Sequence, residues 1–267
     1  MAARYPERIV CLTEETTETL YLLGEERRIV GISGYTVRPP RARREKPRVS
    51  AFLSAKNEKI LELRPDLVIG FSDLQADIAR DLAKAGLNVM LFNQRSVDEI
   101  LSTILILSTI VGAAEKGRML VAELEKNLDS IRRAARAFRK RPRVYFEEWD
   151  EPMISGIRWV SELIEIAGGE DVFSEQSRSH AAAGRVIADP GLVVAKAPEV
   201  ILASWCGKKF RPERVAARPR WSEIPAVRDG ELHEIKSADI LQPGPAALTD
   251  GVRRIHAILE AWTLRAA

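Results

Sequence analysis

Residues 145–152, YFEEWDEP, end an apolar run with acids set around a tryptophan. At a strand end, Glu147, Glu148 and Asp150 could bind a cation or accept hydrogen bonds from amide-bearing ligand arms. Trp149 could stack on a flat ring. Along an extended chain Glu147 and Trp149 lie opposite Glu148 and Asp150, so only part of the cluster can face one ligand. The plainer alternative is a polar strand end with a surface tryptophan. A second candidate is Trp205-Cys206-Gly207-Lys208-Lys209, which follows the apolar run Val200–Ala203. Cys206 could serve as an axial metal ligand or as a thiol whose pKa is lowered by Lys208 and Lys209. Most cysteines are small buried hydrophobes, and Cys11 reads that way. Lys208, Lys209 and Arg211 could meet an anionic group or form a solvated face. His180, in the polar run SRSHAAAGR, could cap a metal centre from one side or lie on a surface loop. His233 and His256 read as structural.

The chain holds two cysteines and three histidines. That rules out a disulfide framework and a Cys-only zinc site, and leaves little for a multi-His centre. No resident metal or cofactor is expected. The chain has no Gly-x-Ser-x-Gly elbow, no phosphate loop ending in Gly-Lys-Ser/Thr, no His-Glu-x-x-His and no Gly-x-Gly-x-x-Gly. A non-enzyme is expected.

The elements that must position these residues alternate between short β-type runs and helical patterns, which predicts an α/β fold with parallel sheets. In the first part, strands are expected at 8–12, 28–33, 66–71 and 88–92, and helices at 14–24, 56–63, 74–86 and 96–112. Thr13 is placed to N-cap the first helix and Gly24 to stop it. Residues 37–48, VRPPRARREKPR, read as a solvated connector. From 114 to 140 there is no proline, and Met119, Leu120, Leu124, Leu128, Ile131 and Ala135 recur at helical spacing. Such a helix would span roughly 40 Å. The run ILELRPDLVIGF (60–71) matches VVAKAPEVILAS (193–204) at an offset of 133, with Pro65 on Pro198. A match halfway along the chain suggests two similar lobes. The expected division is an N-terminal lobe (1–112), a connecting helix (113–141) and a C-terminal lobe (142–267). Ligands of open α/β sheets sit at the carboxyl ends of strands. The segments to watch are therefore Thr13–Thr17, Gly34–Tyr35, Phe71–Asp73, Asn93–Arg95, Glu147–Asp150, Trp205–Lys209 and Ser237–Gly244.

The runs RIVCLTEETTETLYLLGEERRIVGISGYTVRPP (8–40), NEKILELRPDLVIGF (57–71), VSELIEIAGGEDVF (160–173) and APEVIL (197–202) carry a family resemblance. The chain resembles the class III periplasmic binding proteins, the substrate-binding components of ABC importers for cobalamin, siderophores and haem. Its pattern is nearest to the cobalamin-binding branch, over nearly its whole length. The resemblance implies two Rossmann-like lobes with parallel sheets, joined by a long helix that limits hinge motion, with the ligand cleft between the lobes. It places Tyr35, Phe52 and Phe71 where that branch puts aromatic pocket residues, although core packing would also explain Phe52 and Phe71. It makes the loop before the last helix a pocket closure, with Gln242 standing where the branch often has charge. It also implies docking on an ABC permease through one exposed Glu per lobe. Glu58 matches the first. The second falls on Gly191, whose nearest acid is Asp189, so the docking pair is incomplete.

The expected function is a ligand-binding protein of the ABC-importer type holding a corrinoid, cobalamin-like, or a similar large metal chelate. The alternative is a cytoplasmic corrinoid- or metal-handling protein or enzyme that uses Cys206 and the cluster 147–150. A net charge of +3 gives no case for nucleic acid. The run 100–114 is too short and too polar for a membrane span, and a monomer is expected. The N-terminus shows no secretory h-region, so the expectation is cytoplasmic as given, or periplasmic if a leader has been removed.

Overall fold

Ile9, Val10, Cys11 and Leu12 are all fully buried. Four apolar residues in a row suit a strand covered on both faces, the situation at the centre of a parallel sheet. The structure, a computed structural model that describes residues 5–266, places them there. β1 (Ile9–Cys11) is the middle of a five-stranded parallel sheet with β2 (Ile29–Ser33), β3 (Arg48–Ser50), β4 (Leu67–Phe71) and β5 (Val89–Phe92), in the order β3-β2-β1-β4-β5. Ile9 and Cys11 pack with Leu20, Ile32, Ile69 and Leu107. Val10 and Leu12 pack on the other face with Ile60, Val68 and Leu82. The helices of this half are α1 (Glu14–Leu22), α2 (Ala42–Glu45), α3 (Asn57–Glu62), α4 (Ala76–Lys84) and α5 (Val97–Ile110). Gly24, at φ 72°, follows α1 in the left-handed conformation that a helix stop favours.

The chain runs from β1 outward through β2 to β3, then returns to start β4 on the other side of β1. The sheet order therefore reverses between β1 and β4, which makes that pair of strand ends the topological switch point.

Residues 37–48 are more than a solvated connector: they include α2 and open β3. In β3 only Val49 is apolar, and three residues are too few to show an alternating pattern.

The second sheet holds β6 (Arg143–Asp150), β7 (Met153–Ser155), β8 (Glu170–Asp171), β9 (Val200–Ala203) and β10 (Leu232–Glu234). Its order is β10-β9-β6-β7, and β8 also pairs with β6. β9, β10 and β8 run parallel as expected, but β7 is antiparallel to β6. Pro152 lies in the short turn that folds β7 back on β6. The core on one face gathers Tyr145, Phe173, Ile201, Trp205 and Trp221.

α6 (Ala114–Ala135) buries Val121, Leu124, Leu128 and Ile131, one stripe at helical spacing. Met119, expected on that stripe, is exposed. The chain divides into two compact units. The first takes in residues up to Gln94, Asp98–Leu124 and Gln242–Pro245; the second takes in Arg95–Val97, Glu125–Leu241 and the chain from Ala246. The helix expected at 113–141 is thus not a body of its own, because its two halves belong to different units. It ends at Ala135, and the loop before the last helix (Val252–Arg265) gives four residues to the first unit. Among the described residues, no helix is long and apolar enough to cross a membrane.

Candidate functional site

At the first switch point the chain leaves β1 as Thr13-Glu14-Glu15. Thr13 occupies the N-cap position of α1 but caps no backbone N–H. Its hydroxyl instead donates to Glu15 Oε1 at 2.5 Å. Glu14 and Glu15 are both buried. Loss of water pushes each carboxyl up to about 7; the Thr13 hydroxyl on Glu15 and the Val37 N–H on Glu14 act in the opposite sense. Oε2 of each has no hydrogen-bond partner. Gln94, just past β5, is also buried. Its amide Nε2 donates to the Pro243 carbonyl at 3.0 Å, and its Oε1 has no partner. Gly244 lies against Glu15 so closely that a Cβ there would come within 2.5 Å of Glu15 Cβ. Ser72, after β4, sits at φ 72°, ψ 159°, a region kept for glycine that costs on the order of 1–3 kcal/mol. It is held there by its N–H to Phe92 O at 2.8 Å and by its hydroxyl, which accepts from Leu74 N–H at 3.1 Å.

Of the aromatics expected here, Tyr35 is exposed, at 56%. Phe71 is buried at the end of β4, and its N–H donates to Gln75 Oε1 at 3.0 Å. Phe52 is half-buried, and its carbonyl accepts from Gln75 Nε2 at 2.9 Å. Gln75 thus ties both backbones together. Gln242 is half-buried, with its carbonyl accepting from Gly244 N–H at 2.8 Å.

In the second unit, the acids of 147–150 are already engaged. Glu147 is fully buried. It accepts from Arg218 Nη1 at 2.5 Å, Arg218 Nη2 at 3.0 Å, Trp205 Nε1 at 3.0 Å and the Tyr145 hydroxyl at 3.0 Å. Glu148 pairs with both terminal nitrogens of Arg185, at 2.6 and 3.1 Å, and that arginine is itself buried. Asp150 pairs with Lys208 and lies 3.9 Å from Arg214. The simple alternation expected for this strand fails, because a register shift between Glu147 and Trp149 places both Glu147 and Asp150 inside. Trp149 is half-buried, with Lys208 Nζ 4.1 Å from its ring centroid.

Trp205 was expected to face a ligand. It is instead 2% exposed and packs edge-on against Phe210 at 5.1 Å. A cavity of about 410 Å³ nevertheless opens beside it, lined by Asp150, Met153, Ile187, Arg214 and Arg218. Cys206 is exposed, and of the two lysines expected to lower its pKa, Lys208 is held by Asp150 and stacked on Trp149. Cys11 is buried, which pushes its thiol up to about 12. Among the described residues, no group of three His, Cys, Asp or Glu side chains could hold a metal ion.

Glu58 is exposed in the first turn of α3, as a docking residue would be. Gly191 opens the helix Gly191–Lys196, and the neighbouring acid, Asp189, accepts the Gly191 N–H at 2.8 Å.

Arg185 and Arg218 had no local signal in the sequence, since they lie 37 and 71 residues from their acids. Glu14 and Glu15 read as ordinary first-turn helix acids, and nothing local in the sequence marks the approach of Gly244 to Glu15 or of Val37 to Glu14.

A family model described as periplasmic binding protein matches residues 9–238. The ABC transporter substrate-binding lipoprotein YvrC of Bacillus subtilis (strain 168) is 24% identical over 94% of this chain and 79% of its own. A vitamin B12-binding protein of Vibrio cholerae is 27% identical over 97% of this chain and 92% of its own. Among solved structures, the periplasmic haem-binding protein RhuT from Roseiflexus sp. RS-1, in apo form, superposes with a TM-score of 0.77 at 25% identity, over 95% of this chain and 99% of that one.

Proposed function

Because the chain belongs to the periplasmic binding protein family, we propose that it captures a corrinoid at the strand ends described above. It is a substrate-binding protein of the ABC-importer type, and its family works with a small molecule and a permease. The observation that carries the finer reading is Tyr35, a ring left 56% exposed on the loop that leaves β2. An exposed aromatic at a strand end buries large area on a flat ligand at little rotamer cost. The B12-binding relative, similar over nearly the whole chain, supports a corrin, and the haem-binding neighbour makes haem the competing ligand to include in the test. The metal-handling alternative keeps only Cys206, since the acids of 147–150 are consumed in ion pairs.

Titration of the purified protein with cobinamide, hydroxocobalamin, haemin and ferric siderophores, followed by absorbance, tests this. Saturable binding of a corrinoid is expected, and weaker binding by Tyr35→Ala. No corrinoid binding at tens of micromolar would overturn the reading.

A further inference from the structure

The first switch point collects hydrogen-bond acceptors without matching donors. Glu14 and Glu15 are 7% and 2% exposed, and Oε2 of each has no partner. Neither has an ion-pair partner among the described residues; the neighbouring acid, Glu18, takes Arg38 at 2.8 Å. Gln94 adds a third such acceptor. Its amide nitrogen is spent on Pro243, which leaves Oε1 buried and unpartnered. The Thr36 hydroxyl is also fully buried without a partner, next to the Val37 N–H that holds Glu14.

Glu15 and Gln94 meet at the segment 243–244, and Glu14 precedes Glu15 in the first turn of α1. Gly244 lies on Glu15, and the adjacent Pro243 is held by Gln94. A buried acceptor left unmatched costs the full loss of its hydration, and a charged one more. Such groups persist where a bound molecule supplies the donors. The set is too sparse for a metal ion, since no three metal-ligating side chains converge among the described residues. When the two carboxyls are ionised, the donors these oxygens lack are N–H or O–H groups of a bound molecule.

We propose that Glu14, Glu15 and Gln94 form an acceptor subsite that selects ligands presenting carboxamide or ammonium N–H groups and rejects ligands presenting carboxylates. This rests on the corrinoid reading and refines it. A corrinoid carries carboxamides around its rim, whereas haem presents two propionates. Amide N–H groups would satisfy the buried oxygens, and carboxylates would add like charge where little water screens it.

A matched pair of ligands tests the subsite on the unaltered protein. Cobinamide and cobyrinic acid share one macrocycle, but the second carries carboxylates in place of the carboxamides. Cobinamide is expected to bind at least about tenfold more tightly at pH 8. Glu15→Gln and Glu14→Gln, which keep side-chain shape, are expected to shrink that ratio while thermal unfolding shows both variants folded. Equal affinity for the two corrins overturns the subsite but leaves the corrinoid reading standing. So does a ratio unchanged in both folded variants. Binding of neither corrin overturns the corrinoid reading, and the subsite with it.

Discussion

Glu14 and Glu15 are held at about 7 in the fold against an ordinary value of 4.5, chiefly by burial. Below about pH 4.5 both folded and unfolded chains hold these protons, so the groups contribute nothing to stability. Between about 4.5 and 7 the folded chain keeps protons that the unfolded chain has released, and stability falls as pH rises. Above about 7 the whole cost remains, up to about 3 kcal/mol per group. Urea unfolding from pH 4.5 to 8.5 should show that decline. Glu15→Gln should flatten it and raise stability above pH 7. An unchanged slope in the variant would remove Glu15 from the account. The sequence showed that acids follow β1, but a first-turn glutamate on a solvated helix looks the same in one dimension. What distinguishes them is Gly244, some two hundred residues along the chain, which no local pattern connects to Glu15.

The end of β6 shows how an element can absorb residues that look like a ligand site. Glu147, Glu148 and Asp150 each find a base from elsewhere in the second unit, and Trp205 closes on Glu147. Arg218→Met would leave Glu147 buried without its ion-pair partner, at a cost of about 3–5 kcal/mol. The double variant Glu147→Gln, Arg218→Met should recover most of that loss, as read from urea midpoints. An Arg218→Met protein as stable as the parent would show that Glu147 does not depend on it. The strand itself was legible from its apolar run, and so was β9, which forms over Val200–Ala203 as its composition implied. The pairing of the acids was not, because ion pairs between distant residues leave no periodicity. β3 escaped for a related reason: a three-residue edge strand with one apolar side chain carries no pattern.

At the scale of the whole chain, two α/β units were readable from alternating elements and the internal match, since both follow from hydrophobic periodicity. Their borders were not readable, because they depend on which parts of the chain pack together. Ligand capture should register on the whole molecule. A ligand at about a hundred times its dissociation constant adds about 2.7 kcal/mol to stability. For a chain of this size that raises the unfolding temperature by roughly 5–10 °C. Cobinamide at saturating concentration should produce that rise, and an unmoved transition would count against binding. The segment Gln242–Pro245 bears on a different question, namely where the chain could be cut. It belongs to the first unit although it lies near the far end of the sequence. A fragment ending at Leu124 would contain all five strands of the first sheet and still lack the residues that seal Glu15 and occupy Gln94. Such a half would leave Glu15 hydrated in place of covered and would lose the hydrogen bond from Gln94 to Pro243. The protein is therefore divisible in architecture but not in sequence.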